Sequence, residues 1–116
     1  MQDFRKLKVW EKGHKLTLEI YKATKAFPTD ERFGLISQMR RSSSSVPTNI
    51  AEGCGRGTNK SLSHFLDIAI GSACEVETQI YLSFDIGLID ESKKEKLSDE
   101  IEQIRRMIIG YQKTLK

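Results

Sequence analysis

The chain has 116 residues, 38% hydrophobic and 30% charged, with a formal net charge of +3. That length fits a single domain, 1–116, whose core needs neither metal nor disulfide, and the composition is too apolar for a disordered chain. No apolar run approaches the roughly 18 residues that span a bilayer, and Met1 to Lys15 is charged throughout with no signal-peptide core, so a cytoplasmic protein without membrane contact is expected.

Asp3 to Lys8 predicts an extended or helical lead into the first helix. There Val9, Gly13, Leu16, Ile20 and Ala23 form one apolar stripe, and Phe27-Pro28 ends it, because a residue before proline avoids helical geometry. Thr29, Asp30 and Glu31 read as the start of a second helix, a cap followed by acids at the positive helix end. Phe33, Ile36, Met39, Ser43, Val46 and Ile50 continue its periodicity. Ser42 to Ser45 followed by Pro47 fits either a linker or a helix of small residues kinked at Pro47. Apolar spacing that persists to Ile50 favours the kinked helix. Gly53-Cys54-Gly55-Arg56-Gly57 predicts the loop that closes it.

The third helix carries Leu62, Leu66, Ala69, Ala73, Val76, Ile80 and Phe84 on one face, with Thr58 or Asn59 as cap and Gly87 as stop. The fourth carries Leu97, Ile101, Ile104, Ile108, Tyr111 and Leu115, and should run from residues 91–93 almost to Lys116. Ser92 and Glu95 have capping-box spacing, with Asp90 as the competing cap. No segment alternates, so the expected fold is all-α, an antiparallel up-down four-helix bundle.

Charge is unevenly distributed. Residues 61–91 contain Asp67, Glu75, Glu77, Asp85, Asp90 and Glu91 but no Lys or Arg, and basic segments lie on both sides. Pairing within the bundle or across a subunit interface is the first explanation; a basic surface facing a polyanion is the other. Lys8, Lys12 and Lys15 share one helix face at i, i+4 and i+7. Arg56 and Lys60 flank a glycine-rich turn at a helix N-terminus, and Arg105-Arg106 sits near the end of the last helix. These seven are the candidate nucleic-acid contacts. Arg40-Arg41 cannot both face the core. One is expected to pair with Glu75 or Glu52, the other to face solvent, a neighbouring subunit or phosphate.

Chemistry is poorly represented. A phosphate-binding P-loop needs a glycine before Lys60-Ser61 and a preceding strand, and both are missing. His14 and His64 stand alone, and Cys54 and Cys74 fit no metal or redox spacing and are expected as small buried residues. No catalytic constellation, metal site or cofactor is expected. Trp10 beside Val9 reads as a packing anchor before it reads as a base-stacking platform. Trp10, Leu18, Tyr21, Ile68, Tyr81 and Ile109 lie outside the main stripes and suggest a second buried surface, which favours self-association.

Several segments stand together in a recognisable order. They are Phe4-x-x-Leu7-x-Val9-Trp10, Glu31 through Arg41, Ser45 through Gly53, and Phe65-Leu66-x-Ile68-Ala69-x-Gly71-Ser72-x-x-Glu75. In this the chain resembles the bacterial four-helix-bundle proteins encoded in intervening sequences of 23S ribosomal RNA, over essentially its whole length. It is similar also to the accessory protein of diversity-generating retroelements, which binds nucleic acid and a reverse transcriptase through a basic surface. The resemblance implies a ring-like homopentamer. It also makes Gln38, Arg40, Arg41, Asn49, Glu52 and Glu75 signature polar positions, suited to an inter-helix or inter-subunit network. The expected function is that of a non-enzymatic oligomer binding RNA or DNA; the alternative is a homo-oligomeric scaffold for a protein partner.

Overall fold

The computed structural model describes residues 2–115. Its four helices are α1 (Lys8–Thr24), α2 (Ser37–Gly55), α3 (Asn59–Asp85) and α4 (Glu91–Lys113). A helix the length of α3 spans about 40 Å, close to the 43 Å long axis of the molecule. The helices therefore lie along that axis, and the short turns between α2, α3 and α4 reverse the chain. Each helix packs on its neighbours in sequence, and α4 closes against α1. This is the antiparallel bundle the periodicity predicts.

The stripes meet in one core. Leu16, Ile20, Met39, Ile50, Leu66, Ile80, Leu97, Ile101 and Ile108 are almost wholly buried. Each such side chain contributes on the order of 1.5–3 kcal/mol. Caps set the ends. The Thr58 hydroxyl accepts from the Ser61 N–H at 3.1 Å. At the far end of α3, Gly87 takes φ +84°. There its N–H reaches Phe84 O, and the Leu88 N–H reaches Ser83 O at 2.8 Å, a glycine-terminated helix end. At α4 the Asp90 carboxylate accepts from Lys93 N at 2.7 Å, so Asp90, not the Ser92–Glu95 box, starts that helix.

The second helix departs most from expectation. Ser42 to Ser45 is helical, and Pro47 lies inside a continuous α2. The break in helical geometry falls earlier, at Gly34 (φ −100°, ψ −106°). A 3-10 turn over Thr29–Glu31 and a wide turn over Arg32–Ile36 precede the regular helix, with the Glu31 carboxylate near Leu35 N. The side chain of Phe33, expected on the apolar stripe, lies outside those described. At the other end α2 continues through Gly53 and Cys54 to Gly55, so part of the expected loop is helix.

Pro47 is tolerated for a definable reason. Having no N–H, it leaves the carbonyl of Ser43 without its helical donor. The Thr17 hydroxyl of α1 lies 3.0 Å from that carbonyl and also 3.0 Å from Gly13 O, so one proton serves both. Gly13 faces the proline ring, and a Cβ there would stand at ordinary contact distance, 3.6 Å from Pro47 Cδ. Between α2 and α3 the packing is small and polar. The Ser42 hydroxyl lies 2.6 Å from Gln79 Oε1, and the Ser45 and Ser72 hydroxyls are 2.8 Å apart. Among the described residues no buried side-chain polar atom lacks a partner.

Candidate nucleic-acid interface

The up-down path brings four chain segments to one end of the bundle: the residues before α1, the first turns of α1, the α2–α3 turn and the last turns of α4. All seven candidate cations lie in the half of the bundle nearer this end. Lys8 and Lys12 occupy the first turns of α1, Arg56 follows α2, Lys60 opens α3, and Arg105 and Arg106 lie about two turns before the end of α4. Lys15 sits a turn further along α1. A link between the elements fixes the arrangement: Gln112 of α4 donates to Ser63 O at 3.0 Å and to the Asp67 carboxylate at 2.6 Å.

These cations are not equally available. Lys15 is paired with Glu11 at 3.2 Å, Arg56 with Glu52 at 3.2 Å, and Arg106 with Glu102 at 2.6 Å. Arg56 also lies 4.9 Å from the Phe65 ring centre. Among the described residues no salt bridge engages Lys8, Lys12, Lys60 or Arg105. The paired cations are all exposed i,i+4 partners, and such pairs are weak, so phosphate can compete for them. Beside this end, Lys12, Lys15 and Glu19 of α1 line a groove of about 320 Å³, with Lys96, Glu100 and Ile104 of α4 opposite. Lys96 there lies 3.5 Å from Glu19 and 3.9 Å from Glu100.

Arg40 corrects an expectation. It contacts neither Glu75 nor Glu52. Its Nε donates to Thr24 Oγ1 at 2.9 Å and its Nη2 to Tyr21 O at 3.3 Å, with the guanidinium 4.5 Å from the Tyr21 ring centre. It places positive charge on the last turn of α1, where the helix dipole is negative. Arg41 and Gln38 are exposed on α2. Asn49 donates to Ser45 O at 2.8 Å. The signature polar residues therefore divide between local contacts and open surface and do not form one network.

The acids of α3 also depart from expectation. Among the described residues, no salt bridge involves Asp67, Glu75, Glu77 or Asp85. Cys54 is buried as expected, but Cys74 is exposed. Burial pushes the Cys54 thiol and the Tyr111 hydroxyl above their ordinary pKa values, whereas the Arg5 side chain, hydrogen-bonded to Asp3, holds that carboxyl low. Trp10 packs as an anchor, stacked on His14 at 5.1 Å and tilted against Phe4 at 5.0 Å. Sequence reasoning missed Thr17 and Thr24, whose signal is a hydroxyl recurring every seven residues beside an apolar stripe. Among the described residues no group of three or more His, Cys, Asp or Glu is placed to hold a metal, and no helix is long and apolar enough to cross a membrane.

Antiparallel helices with a hydroxyl-rich α2–α3 seam and a cation-bearing end define an all-α four-helix-bundle protein. Residues 5–110 match the family model described as 23S rRNA-intervening sequence protein, and the chain belongs to that family. A crystal structure from Bacteroides thetaiotaomicron VPI-5482, of a protein with unknown function from the S23 ribosomal protein family, superposes with a TM-score of 0.84. It is 23% identical, covering 90% of this chain and 98% of that one. At that identity the likeness establishes the fold. No curated protein matches the sequence.

Proposed function

We propose that the protein is a cytoplasmic, non-enzymatic homo-oligomer that binds RNA through the cation-bearing end of its bundle. The observation that carries this reading is the gathering of Lys8, Lys12, Lys60 and Arg105 at that end without salt-bridge partners among the described residues. Phosphate contacts from such cations give affinity and register rather than sequence readout. The modest net charge of +3 makes a single subunit a weak binder. A ring of copies, pentameric by family resemblance, presents several such ends together and raises the effective affinity.

Equilibrium binding to an RNA hairpin, a scrambled RNA and duplex DNA at about 50 and 200 mM salt tests this. If one oligomer engages about four phosphates, affinity should fall about 50- to 150-fold between those salts. Lys8→Glu with Lys12→Glu should abolish binding while the oligomer and its thermal melt stay intact. A folded oligomer that binds no nucleic acid at 50 mM salt, or a charge-reversed variant that binds as before, overturns the reading and points to a protein partner.

A further inference from the structure

The cation-bearing end of the bundle contains a cavity with no charge in it. The cavity measures about 170 Å³ and lies between four parts of the chain: Gln2 ahead of α1, Cys54 of α2, Thr58 and Asn59 at the start of α3, and Tyr111 of α4. Among the described residues no charged side chain lines it. Charge stands beside it instead: Arg56 and Lys60 flank the lining turn in sequence, one before Gly57 and one after Asn59.

The polar groups of this lining are not used up within the chain. Among the described residues no hydrogen bond engages the side-chain amides of Gln2 and Asn59, the Tyr111 hydroxyl or the Cys54 thiol. Cys54 is 2% exposed, so its thiol is a buried donor without an acceptor. The backbone N–H groups of Gly57, Thr58, Asn59 and Lys60 also lack a backbone acceptor there, as the first donors of a helix do. The Thr58 hydroxyl serves only Ser61 N.

We propose that this cavity receives one unpaired base of the bound RNA. The inference rests on the RNA reading above and names what a base would meet at that end. Size is the first argument. The cavity is well below the roughly 300–1,000 Å³ of sites for drug-sized ligands, and it suits one flat ring system rather than a whole nucleotide. Charge is the second. A phosphate would have to leave the cations outside to enter a neutral lining, whereas a base is neutral and carries donors and acceptors along its edge. The amides of Gln2 and Asn59 both donate and accept, as base-reading amides do. The free N–H groups at the start of α3 suit a ring carbonyl, which uracil, cytosine and guanine carry and adenine lacks. Leu62 and Leu115 add apolar contact for the ring. With a base inside, its phosphates remain outside among Arg56 and Lys60. Unpaired bases in loops and single strands are what sequence-reading RNA binders recognise. The cavity thus adds a base preference to phosphate contacts that carry none.

Equilibrium binding of a uridine octamer and of the same octamer without bases, at about 50 mM salt, tests this. The two carry the same phosphates. The uridine octamer should bind about ten- to a hundredfold more tightly, the worth of one good base contact. Gln2→Ala with Asn59→Ala should remove most of that difference and leave the baseless octamer bound as before. Both residues are exposed and uncharged, and unchanged helical circular dichroism checks folding. Octamers that bind wild type alike overturn the base cavity and leave the RNA reading on its phosphate contacts. A uridine preference that the double variant keeps also overturns it, because the base is then held elsewhere. Wild type that binds the RNA hairpin but neither octamer overturns the cavity alone; wild type that binds no RNA overturns the RNA reading with it.

Discussion

Thr17→Val tests how α2 accommodates Pro47. The valine keeps the shape of threonine but removes the hydroxyl that reaches Ser43 O at 3.0 Å. That carbonyl lacks a helical donor because residue 47 is proline, and the site is buried. An unsatisfied buried acceptor costs about 1–3 kcal/mol. With a urea slope of about 1–3 kcal/mol per molar, the unfolding midpoint should fall by about 1 M. The decisive measurement is the same substitution in a Pro47→Ala background. Alanine restores an N–H that can bond to Ser43 O, so the hydroxyl becomes dispensable and Thr17→Val should cost under about 1 kcal/mol. The double-mutant cycle then gives a coupling of about 1–2 kcal/mol. Thr17→Ser keeps the donor and serves as the control. All four proteins must be unfolded at one concentration, since assembly would shift the midpoint. Costs that agree within about 0.5 kcal/mol in the two backgrounds would refute the account.

Gly53→Ala and Gly110→Ala should change stability in opposite directions. Both gain about 1 kcal/mol of helix propensity, but a Cβ at Gly53 would meet Leu62 Cδ1 and Phe65 Cβ at 2.9 Å and Leu62 Cα at 3.2 Å, whereas Gly110 has open space. Overpacking costs about 1–3 kcal/mol, so thermal melts should show Gly53→Ala below wild type and Gly110→Ala above it. Ser42→Ala removes the hydroxyl on Gln79 Oε1 and should cost about 1–3 kcal/mol in urea unfolding, with Gln79→Leu recovering part of the loss when added. A thiol reagent at neutral pH should label Cys74 at once and Cys54 only on unfolding, because the latter is buried with its thiol pKa raised. The folded-state pKa values of Cys54 and Tyr111 lie above their unfolded values. The stabilising contribution of Cys54 is therefore complete below about pH 8.5 and lost as pH rises above it, whereas that of Tyr111 is complete up to about pH 10 and lost only above that. Urea midpoints should fall from about pH 8.5 upwards, first through Cys54 and above about pH 10 through Tyr111, and Cys54→Ala should flatten the first part of that fall.

Legibility in the sequence followed the strength of the repeat. α1, α3 and α4 carry unbroken heptad stripes, and most of their buried apolar residues are those the spacing picked out, while the buried polar residues Thr17, Thr24, Ser72, Gln79 and Ser83 were not. Caps with a fixed geometry were readable at Thr58 and Gly87. At α4 two caps competed, and Asp90 prevailed because its carboxylate reaches the Lys93 N–H. The segment before α2 was not readable, because a periodic run of apolar residues continues across Gly34 whether or not the backbone there is helical. Local sequence names charges but not their distances, so the Arg40 partners were missed. They are the Tyr21 carbonyl and the Thr24 hydroxyl on α1, and nothing in the sequence around Arg40 marks either as its partner. The candidate cations were legible as types, and their gathering at one end follows from the up-down path alone.

The hydroxyls between α2 and α3 also bear on how many ways the chain can pack. Leucine and isoleucine stripes spaced three and four residues apart can slide by one turn and still bury apolar side chains. The serine contacts cannot. Moving α2 by one turn, about 5.4 Å, would take Ser42 away from Gln79 and turn Ser45 from Ser72 towards Ile68 or Val76. Misaligned hairpins that keep most of their apolar burial thus strand polar groups, a penalty that separates one alignment from its near-equals. The serine run acts as an address for α2 on α3: it gives up apolar area along the seam and in return admits a single register.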